Sequence, residues 1–250
     1  MKKFLALLAV GACLSTPAFA ACKDLPDHAK LKDALSAARK ADNGGLNLDM
    51  WGTIVDRSGI VCAVAYTGAT EGGQWPNSRA ISAQKANTAN GFSLDGLALS
   101  TANLYSAVQP GGPLFGLQES NPVDTKVAYD GDADKFGTDN DPMNGKRIGG
   151  VNVFGGGLAL YNADGKVVGG LGVSGDTSCA DHNIAWRARQ ALALDYVPGG
   201  VSADKSDQII YDLDKSNKSK GGFGHPTCGG GEDQISRGLG SIRKTGAAGE

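Results

Sequence analysis

The stretch GGLALYNADGKVVGGLGVSG, residues 156–175, constrains the fold of this chain more than any other. It reads as a strand, a turn at Asn162-Ala163-Asp164-Gly165 and a second strand with glycine on alternate positions. A connection that short makes the two strands antiparallel. The residues that follow, DTSCADHNIAWRARQAL (176–192), have helical spacing, so a helix leaves the sheet directly. Glycine is abundant throughout, at 38 of 250 residues, about twice the usual ~7%. Apolar residues alternate with it, which implies tight turns and close backbone approaches rather than disorder.

The other elements arrange themselves around this hairpin. Residues 27–42 predict an amphipathic helix with Leu31, Ala34, Leu35 and Ala38 on one face, stopped by Gly44-Gly45. LDMWGTIVDRSGIVCAVAYTG (48–68) predicts a second hairpin turning at Asp56-Arg57-Ser58-Gly59, with Trp51, Ile54, Val61 and Val64 in its sheet. WPNSRAISAQKANTANGF (75–92) predicts a helix capped by Asn77 or Ser78 and ending near Gly91. A further helix is expected at about 94–107, with Leu97, Leu104 and Val108 on its apolar side. From Gln109 to Gly150 the chain reads as a long, acidic loop, and after Asp195 as turns, one short strand at 208–213 and a glycine-rich tail. This series predicts one α+β domain, an antiparallel sheet with helices packed on it.

Lys2 and Lys3, an apolar run from Phe4 to Leu14 and the small-x-small site Ala18-Phe19-Ala20 have the pattern of a signal peptide over residues 1–20. The run is too short to cross a bilayer, so no membrane span is expected. An alternative has Cys13, in Val10-Gly11-Ala12-Cys13, carrying a lipid. The expected location is the periplasm or the exterior, with a domain over 21–198 and a C-terminal extension over 199–250. Loss of Lys2 and Lys3 takes the net charge from −2 to −4, leaving no basic surplus to hold nucleic acid. Cys22, Cys62, Cys179 and Cys228 remain, and four cysteines in an oxidising compartment suggest two disulfides. Of the three connectivities, Cys22 with Cys62 and Cys179 with Cys228 is favoured, because each bridge would pin one end of the chain to the core. No Cys-x-x-Cys occurs, which leaves covalent haem attachment and thioredoxin-like chemistry unsupported.

TIVDRSGIVCAVAYTGA, SRAISAQKANTANGF and ADGKVVGGLGVSGDTSCADHNIAWRARQAL, with this order of elements, resemble the GlcG/HbpS family of haem-binding proteins, also called the haem-degrading or DUF336 family. The likeness covers about residues 28–195. It implies a profilin-like α-β-α layered fold, frequent homo-oligomers and, in some members, binding of haem or a related tetrapyrrole. The long loop from Gln109 to Gly150 and the four-cysteine form with its tail depart from the family pattern.

On a helical wheel, Ala180, Asp181, Ile184, Ala188, Ala191 and Leu192 share one face, and His182, Trp186 and Arg189 lie nearly opposite. The apolar face is expected to pack on the sheet, which leaves Trp186 in need of a cover. Three covers are open: the cysteine-tied tail at 220–230, a second subunit, or a flat apolar ligand. Haem would take His182 on its iron, Trp186 against the macrocycle and Arg189 near a propionate. Under the tail alternative His182 merely hydrogen-bonds a backbone carbonyl. His225 would be carried to the same helix by Cys228 and could complete a bis-imidazole or transition-metal site. Arg79, Lys85 and Thr88 offer donors to a carboxylate, as lining residues of a haem site or as the site of an enzyme or accessory factor acting on a small carboxylate or hydroxy acid. Ser82 and Lys85 also have the spacing of a Ser-Lys nucleophile pair, without an oxyanion-hole motif. Asp130, Asp132, Asp134 and Asp141 match positions 1, 3, 5 and 12 of a calcium loop, but Lys135 replaces its glycine and Asp141 its glutamate, which leaves calcium a weak expectation. A ligand-free, disulfide-stabilised partner protein is the third class of function left open.

Overall fold

The structure, a computed structural model, describes residues 22–245. The expected signal peptide and Cys13 lie outside the described residues. Helix α1 (His28–Arg39) begins at Asp27, whose carboxylate accepts a hydrogen bond from the Lys30 N–H, and it buries the four residues of its predicted face. Strands β1 (Trp51–Asp56) and β2 (Val61–Tyr66) form the first hairpin. Its turn is closed by Asp56, which accepts from the N–H groups of Ser58 and Ile60, while Gly59 supplies the positive φ of +78°. Helix α2 (Ser78–Phe92) follows. After it come two short helical turns, α3 (Leu117–Ser120) and α4 (Thr125–Ala128), then strands β3 (Gly157–Tyr161) and β4 (Val167–Ser174), helix α5 (Ser178–Ala191) and the short helix α6 (Glu232–Arg237).

The strands make one antiparallel sheet in the order β2-β1-β4-β3, so the two hairpins meet through β1 and β4. Alternate residues of β1 feed opposite faces. On one, Ile54 joins Leu31 and Leu35 of α1 and Ile184 and Trp186 of α5; on the other, Trp51 and Val55 meet Ala83 and Ala86 of α2. The glycines of β4 explain how close α2 sits. A Cβ on Gly172 would lie 1.8 Å from the Ser82 carbonyl oxygen, and one on Gly170 2.3 Å from that of Ala86. The bare side of the strand is therefore the seat of the helix.

Two local expectations are corrected. No α-helix spans 94–107: Leu94 and Leu97 exchange backbone hydrogen bonds, and two 3₁₀ turns follow, Thr101–Leu104 and Ser106–Val108. The reason is local, because Ser100 and Asn103 bond each other's backbone N–H groups and tighten the chain into a 3₁₀ turn. Leu97 is accordingly exposed. Residues 208–213 form no strand; they cross α5 instead of pairing with a sheet edge, and the Ile209 N–H points at His182. The stretch 109–150 is loop-like as expected, with only α3, α4 and a short 3₁₀ turn, and it is packed: Asp124 N–H donates to Ile148 O, Val61 N–H donates to Lys146 O, and Met143 and Ile148 are buried beside α2.

Both disulfides are present with the favoured pairing, Cys22–Cys62 and Cys179–Cys228. No helix of the described residues is long and apolar enough to cross a membrane.

Candidate functional site

Helix α5 starts immediately beyond β4 because Thr177 caps it, accepting from the Ala180 N–H. Its first turn carries Asp181, which receives the Lys85 ammonium at 2.7 Å; Lys85 also donates to Val173 O at 3.0 Å. Both side chains are fully buried. Burial pushes the Lys85 ammonium below its ordinary value and the Asp181 carboxyl up to about 6, against the opposing pull of the pair itself. Lys85 thus ties α2 to β4 and α5 and faces no open cleft. Thr88 is equally internal, donating to Gln84 O and accepting from Asn152 N–H. Ser82 donates to Arg79 O and bonds Thr53 Oγ1, so the Ser82–Lys85 spacing does not make a nucleophile pair.

The stripe of α5 opposite Ile184 is covered by the chain's own extension. His182 is wholly buried, with Nε2 2.9 Å from the Gln208 side-chain oxygen and 3.1 Å from the Ile209 N–H, in place of the carbonyl partner the sequence suggests. Burial pushes its imidazole down to about 3, so the ring is neutral, and its Nδ1 has no hydrogen-bond partner. Trp186 donates from Nε1 to Gly240 O. Arg189 forms two hydrogen bonds of 2.7 Å to Asp207, donates to Ala159 O at 3.0 Å and lies 4.9 Å from the Trp186 ring. The cover comes from residues 207–209 and 239–242, not from 220–230. His225 is held separately: Nδ1 lies 2.7 Å from Pro226 O, Nε2 3.4 Å from Gly155 N–H and from Ser178 Oγ, and the ring sits against Tyr105. Burial pushes it down to about 4.

The acidic stretch 130–141 does not close on a shared point. Asp141 is buried under the Arg79 guanidinium and accepts from Gly137 and Met143 N–H, Asp130 pairs with Lys146, and Asp132 caps a 3₁₀ turn. Arg79, stacked 3.7 Å from the Phe136 ring, is in this way consumed by the 109–150 stretch.

Sequence reasoning assigned no role to His28, yet it is the one histidine among the described residues that reaches solvent. It opens α1 and lines a cleft of about 620 Å³ together with Lys23, Leu25, Pro26, Ala29 and Lys30. Its Nε2 hydrogen-bonds Gly137 O at 2.9 Å, which orients the ring. The neighbouring Cys22–Cys62 bridge holds this N-terminal segment against β2.

Residues 27–190 match a family model described as haem-degrading protein HbpS-like. No curated protein matches the chain. Solved structures of similar fold include a PduOC–haem complex, 26% identical with a TM-score of 0.45 over 65% of this chain and 89% of that one. They also include the ORFY protein of Klebsiella pneumoniae (22%, 0.46, over 75% and 97%) and HbpS (18%, 0.40, over 74% and 99%).

Proposed function

The chain belongs to the HbpS-like family, and on that premise we propose that it is a periplasmic or secreted protein that binds haem or a related tetrapyrrole non-covalently, at the cleft bordered by His28. The observation that carries this placement is the accessibility of the three histidines. His182 and His225 are sealed inside the fold, while His28 lines a cleft. Beside the Asp27 and Asp139 carboxylates, this cleft presents residues that suit the group. An Nε2–H donated to Gly137 O leaves Nδ1 as the lone-pair nitrogen that would hold the haem iron. Leu25, Pro26 and Ala29 offer apolar contact, and the Lys23 and Lys30 ammonium groups offer partners for propionates. Bound haem would supply a redox-active iron, and the chain's part is to bind, orient and shield it. The two disulfides support an oxidising compartment.

A second placement keeps His182 as iron ligand, with Trp186 and Arg189 beside the macrocycle. The buried, unpartnered Nδ1 of His182 favours it, and it requires residues 207–209 to leave α5. Haem titration of the oxidised chain lacking residues 1–20, followed by Soret absorbance, tests both. The expected result is a saturable band lost in His28→Ala and kept in His182→Ala. Loss in His182→Ala alone would move haem to α5, and no band in the parent protein would overturn the haem reading.

A further inference from the structure

Where the extension returns to α5, two sulfurs, a carboxylate and an imidazole converge. Cys179 is the second residue of α5, Cys228 precedes α6, and Glu232 is the first residue of α6. The Sγ atoms of both cysteines and a Glu232 carboxylate oxygen all lie within 4.8 Å of one another, the one such group of potential ligands among the described residues. His225 Nδ1 stands 4.0 Å from Cys179 Sγ. Glu232 is buried, and no cationic side chain among the described residues lies within ion-pair distance of it. Among the described residues, its carboxylate accepts from the backbone N–H groups of Cys228 and Gly230. A buried carboxylate without a cation beside two sulfurs is an arrangement whose charge is uncompensated by side chains.

We propose that, once the Cys179–Cys228 disulfide is reduced, the two thiolates and the Glu232 carboxylate form a site for a divalent cation of the zinc class, with His225 as its fourth ligand. Two thiolates, an imidazole and a carboxylate are a donor set that zinc accepts in tetrahedral geometry. Bond lengths of about 2.0–2.3 Å place such ligand atoms roughly 3.3–3.8 Å apart. The sulfurs separate to that distance on reduction and Glu232 draws in, while the His225 ring, 4.0 Å from Cys179 Sγ but outside the group of three, must leave Pro226 O and swing toward the site. The first turn of α5 also favours negative charge on Cys179.

The chemistry balances with a dithiol as reductant. Its thiolate attacks Cys228, the half-buried sulfur, and the Cys179–Cys228 bond breaks as a mixed disulfide forms. The second reductant sulfur then closes its own disulfide, so two electrons and two protons have passed to the protein. Metal binding releases both thiol protons to solvent. The cation would then clamp the extension to α5 where the covalent bridge did, and the site is independent of haem.

The test is a cobalt(II) titration of a Cys22→Ser/Cys62→Ser variant, which keeps only the pair in question, oxidised and then reduced. The expected result is a thiolate-to-cobalt charge-transfer band, one cobalt per chain, in the reduced form only. It should vanish with Cys228→Ser and weaken at least tenfold with Glu232→Gln. No band after reduction, or a band that survives Cys228→Ser, overturns the proposal. Should that variant fail to fold, the parent protein in a dithiol redox buffer gives the second reading: zinc should raise the fraction of Cys179–Cys228 found reduced by alkylation and mass analysis. An unchanged fraction overturns the proposal equally.

Discussion

Asp207→Ala removes the acid that fastens the extension to α5. Asp207 and Arg189 are both fully buried and share two hydrogen bonds of 2.7 Å. Without Asp207 the guanidinium keeps a single acceptor, Ala159 O, and its Nε already lacks one. Breaking a buried pair from one side costs about 3–5 kcal/mol, because it strands the other charge away from water. For a chain of this size each kcal/mol moves Tm by about 2–4 °C, so the expected fall is roughly 6–20 °C. Scanning calorimetry reads that shift. Tryptophan emission reads its cause, since Trp186 donates to Gly240 O beneath the same cover and should move to longer wavelength as the extension loosens. An Arg189→Met/Asp207→Leu variant, which removes both charges, should recover most of the loss. A single variant within about 2 °C of the parent with unchanged emission would refute the view that this pair carries the attachment.

Gly172→Ala places a methyl group 1.8 Å from Ser82 O and 2.5 Å from Ala86 N, both backbone atoms of α2, and should lower stability by at least the ~1–3 kcal/mol of an overpacked core, read from urea midpoints. An unchanged midpoint would mean that α2 does not rest on β4 as described. Acidification should also destabilise the fold. Burial holds His182 down at about 3 and His225 at about 4, so between about pH 4 and 6.5 the unfolded chain binds two protons that the folded chain refuses. Asp181, pushed up to about 6, acts in the opposite sense, since the folded state keeps its proton between about pH 4 and 6 where the unfolded state does not. Two protons outweigh one, so the urea midpoint should be lower at pH 4.5 than at pH 7, and a higher one would refute the neutral, buried histidines.

Much of the fold was legible locally. The apolar spacing of Leu31, Ala34, Leu35 and Ala38 names the buried face of α1 correctly, and the turns Asp56-Arg57-Ser58-Gly59 and Asn162-Ala163-Asp164-Gly165 place the two hairpins. These signals lie within a few residues of one another, which is why pattern alone suffices. The disulfide pairing, one of three open to four cysteines, was favoured by the argument that each bridge would pin one end of the chain to the core. The 94–107 segment misled because its apolar spacing suits a helix, while Ser100 and Asn103 redirect the backbone through side-chain bonds that spacing does not register.

The site was less legible, for a reason visible in the separations involved. Lys85 meets Asp181 across 96 residues and His182 meets Ile209 across 27, so nothing near either residue announces whether it faces solvent, a ligand or another part of the chain. By itself the sequence located the two hairpins, the helices α1, α2 and α5 and the family resemblance, and it favoured the bridge pairing that the structure holds. Only the tertiary structure decided that the His182–Trp186–Arg189 stripe is covered from within, that Lys85 is spent on Asp181, and that His28 is the histidine left facing a cleft. Local preferences set backbone conformation within a few residues, whereas the partner of a buried charge or imidazole is set by which distant segment the packing brings against it.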